Sequence, residues 1–287
     1  MAFRHQPVSS ITRLAGRALA AAILAGPALA ADLSVAPDVP VFEKLDRTLW
    51  IVTLTDNLQA TPRSPGSDQY TAVGYPGIGI REAGTPQRFS TPDDGVSFSI
   101  YDSARFRFGP TARYVPGRYF ADDRRHLFGL RDAGFAVEPG AFVEYYPVSW
   151  LRARGELRHG IFGHHGFVGS VGLDVIQPLD RFQFSIGPRF NFGDEAFARR
   201  YFGVTPIEAL VNNRISAFTP GSYATTGGLG ALTYTFSEQW AATGYAGYNR
   251  ILGSTANSPL VRRGFGSPNQ YVFGAKVDYA FTMPALF

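Results

Sequence analysis

Three histidines, His159, His164 and His165, fall close together in the run HGIFGHHG, and that density of imidazole invites a metal reading. The spacing matches no defined ligand pattern, and the chain contains 0 Cys, so they read as loop histidines. Acidic pairs occur at Asp93-Asp94, Asp122-Asp123 and Asp194-Glu195. Gly95 follows the first pair, which makes a tight turn the better account of it. The run Asp122-Asp123-Arg124-Arg125 compensates its own charge, as a solvated loop cluster does. No G-x-S-x-G elbow is present, and no Ser-His-Asp grouping can be placed. The sequence therefore assigns no catalytic, cofactor-binding or metal-binding residue.

Arginine rows are the remaining chemical signal. Arg152, Arg154, Glu156 and Arg158 alternate with Leu151, Ala153, Gly155 and Leu157. Arg181, Gln183, Ser185, Arg189 and Asn191 alternate with Phe182, Phe184, Ile186 and Phe190, with Pro188 interrupting the series. Successive side chains on a strand point to opposite faces, so each segment has one greasy and one charged face. If the charged faces line a lumen, Arg152, Arg154, Glu156, Arg158, Arg181 and Arg189 could select anions in a channel. They could equally form a salt-bridged interior that fills the lumen.

The elements that must hold these rows are strands. The pattern predicts them at 47–55, 69–80, 86–91, 95–101, 105–113, 134–146, 149–158, 166–176, 181–191, 222–236, 239–249 and 270–281. Within the last, Tyr271, Phe273, Ala275, Val277, Tyr279 and Phe281 form a wholly apolar face with aromatics at both ends. The Gly-rich segments 222–236 and 239–249 alternate poorly and predict bulges. Short connectors at 146–148, 177–180 and 237–238 alternate with longer ones at 114–133, 159–165, 192–221 and 250–269. An outer-membrane barrel, with short periplasmic turns and longer outer loops, shows this parity; a soluble sandwich has no reason to. Aromatics at 14%, charged residues at only 17% and 32 Gly suit a sheet facing lipid. The expected fold is all-β, a transmembrane antiparallel β-barrel of about 12 strands. A short helical segment stands in one extracellular loop, with helices at 194–201 and from Thr205-Pro206.

The N-terminus reads as a cleaved signal peptide, residues 1–30: Arg4, Arg13 and Arg17 precede an apolar run ending Ala28-Leu29-Ala30. Its removal takes the net charge from +4 to about +1, which leaves no argument for nucleic acid. A Pro-rich periplasmic lead-in at 31–46, a barrel at 47–281 and an extension at 282–287 complete the organisation.

Three stretches resemble one family. Pro65-Gly66-Ser67-Asp68-Gln69-Tyr70 resembles the opening motif of the MipA/OmpV family, although it lacks the usual aromatic before Gly-Ser. Tyr201-Phe202-Gly203-Val204 resembles that family's Y-F-G-V segment, and Ser258-Pro259-Leu260-Val261 with Gly266-Ser267 resembles its closing pattern. Barrels of this kind stop at the aromatic of their last strand, here Phe281, whereas six residues follow it, and Pro284 argues against strand continuing through them. The resemblance implies an outer-membrane scaffold that brings a lytic transglycosylase and a penicillin-binding synthase together at peptidoglycan, in contact with outer-membrane lipid. Other members look like porin-like or adhesive surface proteins, and the family has no catalytic residues to carry over.

Overall fold

The computed structural model describes residues 49–284, apart from positions 125 and 263. The expected signal peptide, the lead-in, the first two residues of strand 47–55 and the terminal Phe287 lie outside the described residues.

Thirteen strands form one antiparallel sheet: β1 (Leu49–Pro62), β2 (Tyr70–Glu82), β3 (Val96–Ser97), β4 (Tyr101–Asp102), β5 (Phe106–Val115), β6 (Ala136–Val148), β7 (Leu151–His159), β8 (Ile161–Phe162), β9 (Phe167–Leu179), β10 (Phe182–Gly193), β11 (Tyr223–Thr235), β12 (Trp240–Ile251) and β13 (Asn269–Pro284). The wall runs β2-β1-β13-β12-β11-β10-β9-β7-β6-β5-β3, with β4 on β5 and β8 on β6. The first and last long strands are paired, β1 against β13, which curls the sheet into a nearly closed barrel whose seam lies between β2 and β3.

β3 and β4 are two visible parts of one irregular run along β5. Phe98 N donates to Pro110 O (3.0 Å), Ile100 N to Phe108 O (3.0 Å) and Ser103 N to Phe106 O (2.9 Å). The strand expected at 95–101 therefore exists, whereas the one expected at 86–91 does not. Pro86 and Pro92 remove two ladder donors there, and Thr91 to Asp94 closes a turn (Asp94 N to Thr91 O, 3.1 Å). Residues 83–95 still change ends of the barrel. Glu82 lies opposite Trp50 at the short-turn end, while Val96 pairs with Ala112, toward the long loops. The chain makes this crossing inside the wall, as an inner strap.

Outside, the barrel is a belt of exposed aliphatics that includes Val143, Leu157, Val171, Leu173, Val175, Ile186, Leu232 and Val277. Cross-strand aromatic pairs border it: Phe182–Tyr234 (4.8 Å) and Trp240–Tyr279 (4.6 Å) at the short-turn end, Tyr248–Tyr271 (5.2 Å) and His159–Phe167 (4.7 Å) at the other. A continuous apolar belt between aromatic girdles is a lipid-facing surface. Among the described residues no helix is long and apolar enough to cross a membrane.

Two further expectations are corrected. β11 and β12 keep unbroken register with each other and with their outer neighbours, so the Gly-rich stretches carry no bulge. Glycine makes room instead: a Cβ on Gly247 of β12 would lie 2.8 Å from Val272 Cγ1 and 3.0 Å from Leu229 Cδ1. The last strand continues past Phe281 to Pro284, which pairs with Leu49. At that final position the missing N–H of proline interrupts no further ladder, so Thr282 to Pro284 belong to the barrel rather than to an extension.

If this belt faces lipid, Leu173→Arg at mid-strand destabilises the barrel by about 2–4 kcal/mol in urea titrations of the vesicle-reconstituted protein. An unchanged unfolding midpoint would contradict a lipid-facing β9.

Candidate functional site

The inward faces of β5, β6, β7, β9 and β10 and the strap form one charged network. Its centre is Arg152, only 1% exposed. The Arg152 Nε and Nη2 donate to Asp174 Oδ2 (3.0 and 2.8 Å), while Nη1 reaches Glu144 Oε1 (3.2 Å) and Asp94 Oδ2 (2.8 Å). Nη2 also donates to Thr91 Oγ1 (3.0 Å), and the guanidinium plane lies 4.7 Å from the ring centroid of Phe89. Thr91, Asp94 and Phe89 belong to the strap, so half of the bonds of one wall arginine go to the segment that crosses the lumen.

The same logic extends up and down the barrel. Arg189 bonds Asp93 Oδ2 (2.7 Å) from the strap and Asp174 Oδ1 (2.7 Å) from the wall. Arg154 bonds Glu144 and Glu156 (both 2.5 Å) and lies over Phe142. Arg158 is paired with Glu138 (3.1 Å) and Glu156. Arg107 joins Glu144 (2.9 Å), Arg113 approaches Glu156 (3.6 Å), and Gly95 N donates to Glu156 Oε1 (3.0 Å) as the strap reaches the wall. At the short-turn end Arg88 of the strap is tied to Asp102 (2.6 Å), which also pairs with Arg107 (3.2 Å). Seven guanidiniums (Arg88, Arg107, Arg113, Arg152, Arg154, Arg158 and Arg189) thus meet seven carboxylates (Asp93, Asp94, Asp102, Glu138, Glu144, Glu156 and Asp174). The strap supplies two of the carboxylates and one guanidinium, and with them the network is neutral.

The opposite lumen wall is largely uncharged. Tyr245 donates to Asn57 Oδ1 (2.8 Å), Thr233 and Thr243 share a hydrogen bond (2.8 Å), and the lone ion pair there is Lys276–Asp278 (3.1 Å) among the described residues.

Of the predicted lumen residues, Arg152, Arg154, Glu156, Arg158 and Arg189 are brought together here. Arg181 is not: it sits exposed in the turn between β9 and β10, because the inward series of β10 begins with Gln183. Asp93 and Asp94 do make the expected turn, and their carboxylates also lock the strap. Sequence reasoning missed Glu138, Glu144 and Asp174, whose signal was two acids on the inward phase of β6 and one on that of β9. The three histidines diverge: His164 Nε2 meets Glu138 (3.0 Å), His159 stacks edge-on with Phe167, and His165 is exposed.

At the long-loop end the three motif stretches converge into a cap. Gly66 has φ +87°, and a Cβ on it would lie 2.8 Å from Val261 Cγ2 and 3.2 Å from Phe202 Cε1. Ser258 Oγ donates to Phe202 O (2.7 Å), Ser267 N to Gly66 O (2.9 Å) and Gly66 N to Gln270 Oε1 (3.0 Å). Tyr271 N donates to the Tyr70 hydroxyl (3.2 Å), while Ser67 turns back on Gln69 and Asp68 stays at the surface with it. Phe197, Tyr201, Phe202, Ile251 and Val261 form the buried core of this cap, and Val204 and Leu260 a second small core. Pro65 lines a small cavity beside Tyr201, and Pro259 is half-buried next to Leu260. Phe281, the remaining motif residue, lies at the other end, stacked on Tyr279.

Both expected helices contribute: α1 (Glu195–Phe202), capped by Asp194, and α2 (Pro206–Asn212), whose Thr205 and Glu208 form a capping box. Burial would raise the Glu208 carboxyl, but bonds from Thr205 N and Arg131 N outweigh it and hold the group at about 2. Arg118, buried beneath α1 with its Nη1 on Tyr201 O (2.7 Å), is lowered to about 10 by that burial.

A sheet curled so that its first and last strands pair, greasy outside and charged within, defines an integral outer-membrane β-barrel. The sequence matches the family described as MltA-interacting protein MipA over residues 58–281, and the chain belongs to that family. No curated protein matches it in sequence. Among solved structures it is similar to the NanC porin (TM-score 0.38, 10% identity, 78% of this chain and 98% of that one). It is also similar to a loop-deletion mutant of OmpT from Vibrio cholerae (0.33, 10%, 82% and 100%) and to the channel DcaP of Acinetobacter baumannii (0.33, 8%, 81% and 97%).

Asp94→Asn removes the charge that answers Arg152 while leaving Asp174 and Glu144 in place. It should cost about 3 kcal/mol in urea unfolding, at the lower end of the range for breaking a buried pair. A cost below about 0.5 kcal/mol, as for a surface substitution, would show that the strap is not held by this bond.

Proposed function

We propose that this chain is a non-enzymatic, closed barrel that acts as a scaffold at the outer membrane, docking a lytic transglycosylase and a penicillin-binding synthase near peptidoglycan. The family's description, an MltA-interacting protein, supports the first partner. The observation that carries the reading is the strap. A passive anion filter needs guanidiniums that offer free donors to a passing ion, whereas Arg152 and Arg189 spend theirs on Asp93, Asp94 and Asp174. A body whose lumen is internally neutralised and whose long-loop end is capped offers its surfaces, not its bore, for work. The short turns at the other end present Trp150 and Phe236, both exposed, on the side that the parity of the connectors assigns to the periplasm.

Purified barrel in proteoliposomes should co-sediment a purified lytic transglycosylase and a bifunctional penicillin-binding synthase together, and each with lower yield alone. Recovery of neither enzyme above empty vesicles would sink the scaffold reading.

A further inference from the structure

A second charged feature lies outside the barrel, on the flank of the cap. A cleft of about 390 Å³ is lined by Arg131, Arg199, Arg200, His165, Phe162 and the backbone side of His164, with no acidic residue in its lining. The His164 ring is committed inward, to Glu138 and to Gly166 N (3.3 Å), so the cleft's chemistry rests on the other side chains. Arg131 is 67% exposed although its Nε bonds Glu208 (3.0 Å), and Arg199 is 58% exposed, 3.8 Å from Glu195. Arg200 gives one Nη2 bond to Asp132 O (2.8 Å), and its Nε is buried without a partner.

The dipole of α1 accounts for arginines in its last turn but not for Arg131 and His165 converging on them from two other loops. Phe162 stands at the rim, 65% exposed and held at φ 74°, a left-handed backbone that an aromatic residue adopts only under constraint. Forked guanidiniums around an acid-free hollow match the oxygens of a phosphate.

The surroundings choose among phosphates. Glu208, which holds Arg131, lies on α2, and the other face of that helix exposes Ile207 (75%), Leu210 (81%) and Val211 (51%). Phe128, 54% exposed, adjoins this ridge through Gly129, which packs on Val211. An apolar ridge beside a cationic cleft fits an amphiphile and would be idle toward a free ion.

We propose that the cleft binds the phosphate headgroup of an anionic membrane lipid, with the α2 ridge seated against its acyl chains. The binding concerns the outer flank of the cap and does not depend on the strap or on the scaffold role.

The full chain, folded in a neutral maltoside detergent, is titrated by calorimetry with dihexanoyl phosphatidic acid below its micelle concentration. Saturable binding is expected, weakened at least about tenfold in Arg131→Gln/Arg199→Gln, since two charge-assisted bonds are lost. Ile207→Ser/Leu210→Ser should weaken the lipid by a comparable factor. Slower migration on heating verifies that each variant is folded. Unchanged affinity in the arginine variant, binding of inorganic phosphate as tight as the lipid, or equal binding of dihexanoyl phosphatidylcholine would each overturn the proposal.

Discussion

Burying arginine in the middle of a membrane protein is costly unless every guanidinium meets a carboxylate, and that requirement organises this barrel. Arg152 is the extreme case: two carboxylates of the wall, Glu144 and Asp174, and one of the strap, Asp94, surround it. Neutralisation in a low-dielectric interior is cooperative, because losing any one partner leaves a charge with no water to take its place. The strap is therefore part of the wall's electrostatics as much as of the chain's path. It also resolves a parity problem, since eleven strands in the wall would leave the two ends of the chain on opposite sides. The strap makes the twelfth crossing, and Leu49 and Pro284 come to lie side by side.

Two surfaces with opposite demands are satisfied by one period. The outward phase of the strands is predominantly apolar, as lipid requires, with Asp56 of β1 the exception between Leu54 and Leu58, and the charges of the inward phase stand there because they are paired. The cap follows a different rule. It brings together Gly66 and Val261 from loops, Phe202 from the end of α1 and Ile251 from the end of β12, far apart in sequence, and Gly66, at a positive φ and with no Cβ, approaches Val261 more closely than another residue could. Helix capping by Asp194 and Thr205 fixes where α1 and α2 begin, so the arginines of α1 fall on the cap's flank rather than in its core.

Much of this was legible in the chain. Period-two alternation disclosed β7, β10 and β13 with their faces, because the lipid and lumen phases differ so sharply there. The helical loop was legible from Thr205-Pro206, and the three motif stretches announced the family. What escaped reading was long-range. Residues 86–91 have a polar composition without a period, and nothing local distinguishes a strand from a strap whose Asp94 and Asp93 find their partners 58 and 96 residues away. Arg181 was assigned inward by extending an alternation one step past the strand's start, into the turn. Glycine in β11 and β12 looked like a break in pattern, whereas Gly247 shows it making room for Val272 and Leu229 across the strands.

Single-channel recording in a planar bilayer tests the central claim, that the strap closes the lumen by neutralising its arginines. The native barrel should give no reproducible conductance steps, and Asp93→Asn/Asp94→Asn, which removes both strap carboxylates facing Arg152 and Arg189, should give anion-selective ones. Steady, open-channel conductance from the native protein, unchanged in the double variant, would contradict it.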